Sequence, residues 1–262
     1  MGTTTNHHFI ERMHWDEVAR RIGDGALAIL PIGSAAKQHG FHLPLNTDRI
    51  QAEWLAGKVA EPIDALVWPT LTYGYYPAFA GYAGSCSLSI ATFEALVREI
   101  AGQILDGGCR KLLVLNTGIS SLAPVDRALA RLPFGRVRHL WINEGPRYPR
   151  MARQLAEQGY GSHADELETS LMLAIAPHLV DMTRAEASSG LAREIPGALA
   201  APDPNSPNYS RSGTYGDPTR ATSAKGEALL AAMLDDLHEQ AAAFAMEDVS
   251  APRMAGILSV MG

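Results

Sequence analysis

The sequence predicts an α/β fold in which a mostly parallel sheet is covered by helices on both faces. Short apolar runs alternate with longer stretches in which apolar residues recur at helical spacing, a pattern typical of βαβ units and a parallel sheet. Of the 262 residues, 47% are hydrophobic and 19% are charged. This composition supplies a large core and excludes a disordered, collagen-like or coiled-coil chain. We therefore predict one domain over residues 1–262.

Four strands and five helices are predicted in chain order. The apolar runs at 26–32, 65–68, 111–115 and 137–142 are interpreted as strands because each is short and rich in aliphatic residues. Helical spacing predicts helices at 49–61, 92–105, 123–132, 164–176 and 223–246, with Thr92 as the N-cap of the second.

Ligands of parallel sheets bind beyond the carboxyl ends of the strands. The loops to search for function are therefore 33–48, 70–89 and 116–121, each of which follows a predicted strand. The second loop contains Tyr73, Tyr75, Tyr76 and Phe79, which could wall a pocket or pack in a subunit contact. Region 190–220 is rich in Pro, Ser, Gly and Asn and is interpreted as a lid, a subunit contact or a mobile segment.

Charge and cysteine content exclude several classes of partner. Twenty-eight acidic residues outnumber 22 basic ones, for a net charge of −6, so no nucleic-acid or anionic-membrane partner is expected. No apolar run approaches the roughly 20 residues of a membrane helix. Two cysteines make no disulfide framework. We expect a cytoplasmic protein that acts on a small-molecule substrate.

Two segments concentrate side chains that carry chemistry. The first places His39, His42 and Asp48 within ten residues, and imidazole with carboxylate suits Zn²⁺ or Mn²⁺. Spacing alone leaves open whether this is a metal site or a polar loop. The second runs from His163 to Glu168 at the start of a predicted helix, where acidic residues also complement the helix dipole.

Four ordered stretches resemble the signature of the creatininase (creatinine amidohydrolase) family. Residues 33–48 resemble its Gly-Ser-x-Glu-Gln-His-Gly-Pro-His-Leu-Pro-Leu-x-Thr-Asp motif, and residues 163–170 resemble its His-Ala-Gly-x-x-Glu-Thr-Ser motif. Residues 76–85 and 212–222 resemble its middle loop and its late Gly-Asp-Pro segment. The resemblance implies a three-layer α/β/α sandwich, assembly into a homo-oligomer such as a hexamer, hydrolysis of C–N bonds of cyclic or linear amides, and two divalent metals per subunit.

Carried over residue by residue, the resemblance implies that His39, Asp48 and Glu168 are metal ligands and that His163 is a proton shuttle. Two departures affect one of the two metals. Lys37 stands where the family has glutamate, and Asn116-Thr117-Gly118 replaces the family's Asn-Gly-His, so a metal-binding histidine is absent from that motif.

These departures predict a site with a single Zn²⁺ or Mn²⁺ per subunit. Lys37 would either direct its ammonium toward the vacated metal position and assist catalysis, or be a solvated loop lysine. The leading functional hypothesis is a metal-dependent hydrolase of a small cyclic or linear amide. The alternatives are a hydrolase of a cyclic ketone or lactone, and a non-catalytic relative with a degenerate metal site.

Overall fold

A four-stranded, all-parallel sheet forms the centre of the molecule. In the computed structural model, which describes residues 7–188, 205 and 209–248, the strands are β1 (Ala28–Ile32), β2 (Leu66–Val67), β3 (Leu112–Asn116) and β4 (Val137–Trp141). Their order across the sheet is β2-β1-β3-β4. Every residue of β1 and β3 is buried, as expected for central strands covered on both faces.

In the described part of the chain, seven α-helices surround this sheet: α1 (Trp15–Gly23), α2 (Thr47–Ala60), α3 (Ile90–Asp106), α4 (Leu122–Leu129), α5 (Arg147–Leu155), α6 (Glu166–Ile175) and α7 (Ser223–Met246). One face of the sheet packs against α2 and α7 through residues such as Leu55 and Leu229, and the other packs against α3 and α4 through Phe93 and Val125. This arrangement confirms the predicted α/β fold with its three layers. No helix in the described ranges is long and apolar enough to cross a bilayer.

The element predictions differ from the structure in three places. Helix α3 is capped by Ser89, whose hydroxyl accepts the Thr92 N–H at 3.2 Å, so the prediction of Thr92 as the cap is wrong. Helices α1 and α5 are absent from the prediction, although each carries apolar residues at helical spacing: Trp15, Val18 and Ile22 in α1, and Tyr148, Met151 and Leu155 in α5. Most of region 190–220 lies outside the described residues, and its predicted role is not tested.

Close packing of α6 on α7 depends on Gly226. A Cβ at this position would lie 1.9 Å from the Ser170 carbonyl oxygen and 3.0 Å from the Ala174 Cβ. We expect Gly226→Ala to lower the free energy of unfolding by about 3 kcal/mol, because the two helices would have to separate. Gly102→Ala is the matched control: that glycine lies inside α3 with its nearest neighbour at 3.8 Å.

The control should raise stability by about 0.5–1 kcal/mol through helix propensity. Urea denaturation of both variants measures the difference. Equal effects of the two substitutions would contradict the packing argument.

Candidate metal centre and active-site cavity

The carboxyl end of β1 brings the first group of polar side chains together. The loop that follows this strand carries Lys37 and His39, and the first turn of α2 presents Asp48. Gly33 permits this approach, because a Cβ on it would lie 2.4 Å from the Asp48 carbonyl oxygen. A strand end and a helix N-terminus therefore place a lysine, a histidine and a carboxylate at one edge of the sheet.

Asp48 is buried between two cationic or proton-donating groups. Its Oδ2 lies 2.7 Å from the Lys37 Nζ, and its Oδ1 lies 2.9 Å from the His39 Nε2. The side chains of Lys37 and Asp48 are 9% and 4% exposed. Burial alone would raise the pKa of Asp48, but Lys37 and His39 overcome this effect and hold it well below its ordinary value. Lys37 is thus a buried partner of Asp48 and not a solvated loop lysine.

The two histidines of the site are each oriented by a backbone carbonyl. The His39 Nδ1 lies 2.8 Å from the Lys37 oxygen, and the His163 Nε2 lies 2.8 Å from the Gln38 oxygen. Each of these nitrogens donates its N–H, which leaves the His39 Nε2 and the His163 Nδ1 directed toward the site. Burial, together with the nearby His39 and Lys37, lowers the pKa of His163 well below 6.5, so its ring is neutral.

Glu168 lies between the two imidazoles in the first turn of α6. Its Oε1 is 3.7 Å from the His39 Nε2, and its Oε2 is 3.6 Å from the His163 Nδ1. The Ala164 N–H donates to the same Oε2 at 2.6 Å. Ala164 has a φ of +47°, a conformation that costs a non-glycine residue free energy and directs this N–H toward the carboxylate.

These side chains form a donor set suited to one divalent ion. The ligand atoms of His39, His163 and Glu168 all lie within 4.8 Å of one another, and Asp48 joins them through its contact with His39. The His39 Nε2 faces two carboxylates, an arrangement that either a proton on the ring or a metal ion would stabilise. Because a backbone carbonyl holds its other nitrogen, His39 has the orientation and tautomer of a metal-binding histidine.

Of the predicted site residues, Lys37, Asp48, His163 and Glu168 line a single cavity of about 590 Å³, whereas His39 is fully buried and absent from the lining. Tyr75, Tyr76 and Phe79 contribute to its wall, whereas Tyr73 is 52% exposed and is absent from the lining. The Phe79 ring packs on His163 with centroids 4.3 Å apart, and the Lys37 Nζ lies 5.1 Å from its centroid. This loop therefore covers the polar centre from one side.

Two other candidates from the sequence have supporting roles. The His42 Nε2 lies 2.8 Å from the hydroxyl of Thr169, the residue after Glu168, and burial together with His39 lowers the pKa of His42 to about 4. The side-chain Oδ1 of Asn116 accepts the Gly118 N–H at 3.0 Å and the Ser121 hydroxyl at 2.9 Å. Asn116 therefore closes the turn after β3, and its side-chain oxygen is already engaged.

Sequence reasoning missed the part of the cavity that α5 provides. Tyr148, Pro149, Ala152 and Arg153 line it, together with Trp141 at the end of β4. The segment that becomes α5 offers no motif, but Tyr148, Met151 and Leu155 recur at helical spacing, which is the signal that could have identified the helix. Only the position of the helix beside the end of β4 identifies these residues.

Comparison with known proteins gives consistent matches over most of the chain. The family model described as creatinine amidohydrolase matches residues 11–241. Creatinine amidohydrolase of Pseudomonas putida is 30% identical over 195 residues, which cover 67% of this chain and 75% of the relative. The mycofactocin precursor peptide peptidase of Mycolicibacterium smegmatis is 29% identical over 221 residues, which cover 80% of this chain and 81% of the relative.

Solved structures give the same result. A crystal structure of creatinine amidohydrolase superposes with a TM-score of 0.81 at 27% identity, covering 93% of this chain and 100% of that one. A manganese form of creatininase gives 0.77 at 28% identity, with coverages of 89% and 96%. A mutant creatininase described as the Zn-Zn type gives 0.74 at 27% identity, with coverages of 90% and 97%.

Proposed function

This chain belongs to the creatininase family, and on that premise we propose that it is a metal-dependent amide hydrolase with one divalent ion per chain. Named relatives cleave C–N bonds in a cyclic amide and in a peptide, and solved relatives contain manganese or zinc. The observation that carries the proposal is the convergence of Asp48 and Glu168 on the His39 Nε2, at 2.9 and 3.7 Å, beside a cavity that both carboxylates line.

The contacts of the two Glu168 carboxylate oxygens indicate which residues would hold the ion. Its Oε1 faces the His39 Nε2, which in turn contacts the Asp48 Oδ1, so three donor atoms converge there. Its Oε2 already accepts the Ala164 N–H and faces His163. His39, Asp48 and Glu168 would therefore hold the ion, and His163 would stay outside its coordination. One imidazole and two carboxylates suit Zn²⁺ or Mn²⁺.

A bound divalent ion would supply Lewis-acid activation of water and of the substrate carbonyl. The Nδ1 of His163 is the free nitrogen of a neutral ring, because the Nε2 N–H is donated to the Gln38 carbonyl. It can take a proton and pass it to the departing amine nitrogen. The Lys37 ammonium lines the same cavity and can donate an N–H to the oxygen on which negative charge develops.

Lys37 also explains why one ion suffices. In a site with two ions, the shared carboxylate would contact both of them. Here one Asp48 oxygen is 2.7 Å from the Lys37 Nζ, and the other is directed toward His39. The ammonium therefore supplies the positive charge of a second cation without coordinating a ligand.

The test separates metal binding from proton transfer. We expect His163→Ala to retain about one ion per chain and to lose about 10²–10⁴-fold in kcat, the usual contribution of general acid–base catalysis. Metal content is measured by elemental mass spectrometry. Turnover is measured on cyclic amides, linear amides, lactones and ring ketones with added Zn²⁺ or Mn²⁺.

Loss of the ion in this variant would instead make His163 a ligand in the group with His39 and Glu168. Turnover of lactones or ring ketones alone would favour that alternative substrate class. The absence of any bound metal at all loadings would favour a non-catalytic relative.

A further inference from the structure

Resting on the proposed hydrolase, we propose that the substrate carries a carboxylate and that Arg153 is the residue that recognises it. Arg153 lies on α5 and is one of the residues that line the cavity, together with Lys37, Asp48, His163 and Glu168. The chemical class is an amide with a free carboxylate, such as an N-acyl amino acid. Arg153 would select this substrate and would take no part in the chemical step.

The charges around the cavity, as far as the structure describes the chain, leave Arg153 without a protein partner. Across the ranges that the structure describes, Arg153 forms neither an ion pair nor a hydrogen bond. Each acidic side chain of the lining is already engaged. Asp48 contacts Lys37 at 2.7 Å, Asp165 accepts the Leu167 and Glu168 N–H groups at 3.0 Å, and Glu168 accepts the Ala164 N–H.

The position of Arg153 distinguishes it from the other arginines of α5. The cavity is lined by one face of this helix, formed by Tyr148, Pro149, Ala152 and Arg153. Arg147 pairs with Asp236 at 2.9 Å and with Glu239 at 2.7 Å. Arg150 and Arg153 are both exposed, but Arg150 is absent from the cavity lining. Arg153 is therefore the arginine of α5 that lies at the cavity without a partner in the described ranges, and its guanidinium matches the planar geometry of a carboxylate.

The size of the cavity allows a substrate larger than the reacting amide. About 590 Å³ lies within the range of pockets that enclose drug-sized ligands and exceeds the need of a five-membered ring. Tyr75, Trp141 and Tyr148 add aromatic surface to the wall. A substituent that extends from the amide can thus pack on these rings while its carboxylate reaches Arg153. A small neutral ring would leave this part of the cavity unused.

The experiment compares charged and neutral substrates of the same shape. N-benzoylglycine and its neutral carboxamide, N-benzoylglycinamide, are given to the metal-loaded full chain, and KM and kcat for benzoate release are measured. We expect KM to be about tenfold lower for the carboxylate, as one charge-assisted contact provides. Arg153→Gln should abolish this preference and leave kcat unchanged, since the contact is the same in ground and transition states.

Arg150→Gln is the matched control, because it removes the same charge from the same helix outside the cavity, and it should keep the preference. A preference that persists in Arg153→Gln would overturn the proposal and place the carboxylate elsewhere, for example on the metal.

Calorimetric binding of both compounds keeps the test independent of turnover. If the carboxylate binds more tightly in a manner that depends on Arg153 but is not hydrolysed, the proposed hydrolase activity is contradicted and the role of Arg153 is not. If both compounds bind equally, the role of Arg153 is contradicted.

Discussion

Replacing His39 with alanine is expected to remove both the bound metal and the hydrolytic activity. His39 is fully buried, contacts Asp48 at 2.9 Å and faces Glu168 at 3.7 Å, so it links the two carboxylates of the proposed site. Loss of a residue that only supports a metal ligand costs about 10- to 100-fold in metal affinity or activity. Loss of the ligand itself should cost more, and both quantities should fall below detection.

The control for this variant is His178→Ala, which removes an imidazole from an exposed position after α6. It should retain about one ion per chain and full activity. Metal content and circular dichroism are measured on the same samples, so that unfolding is distinguished from loss of the ligand. A folded His39→Ala protein that keeps its ion would remove His39 from the ligand set.

Replacing Lys37 with glutamate is expected to make folding dependent on a second metal ion. The substitution removes the ammonium from the buried Asp48 and adds a second carboxylate beside it. Breaking a buried ion pair costs about 3–5 kcal/mol, because one charge is left without its partner. Excess Zn²⁺ or Mn²⁺ should restore this stability, since a cation can then occupy the position of the ammonium.

The stoichiometry should rise from about one to about two ions per chain in this variant. Denaturant unfolding with and without metal gives the stability, and calorimetric titration gives the number of ions. Lys58→Glu makes the same charge change at the surface of α2, where Lys58 is paired with Glu61, and should cost less than about 1 kcal/mol. If Lys37→Glu is destabilised and still takes up a single ion, Lys37 is a structural partner of Asp48 only.

The parts of the fold that the sequence could predict are those with a strong apolar pattern. The run at 26–32 contains β1, in which all five residues are buried, and the helical spacing at 223–246 matches α7. Helix α5 could have been found in the same way, because Tyr148, Met151 and Leu155 recur at helical spacing and pack on the core, but its position beside the cavity could not. Its place in the cavity depends on packing against α7, where Asp236 accepts the Arg147 and Tyr148 N–H groups, an interaction across 88 residues or more.

The contacts within the site also fall into two groups, those that the sequence could predict and those that it could not. His39 and Asp48 are nine residues apart in a loop that leads into a helix, so their proximity could be predicted. In the structure, the His39 Nε2 lies 2.9 Å from the Asp48 Oδ1. The approach of Glu168 and His163 was predictable only from the resemblance to creatininases, because no local pattern relates α6 to the loop after β1. The ion pair of Lys37 with Asp48 required coordinates, since a lysine in that loop could equally have faced solvent.

Anomalous X-ray diffraction from crystals of the metal-loaded protein tests the account most directly. Data collected at the zinc and manganese absorption edges locate each ion and count them independently of activity. We predict a single anomalous peak in each chain, in contact with His39, Asp48 and Glu168, with the Lys37 ammonium on the other oxygen of Asp48. Two peaks that share Asp48, or full loading with no peak beside His39, would contradict the one-ion site.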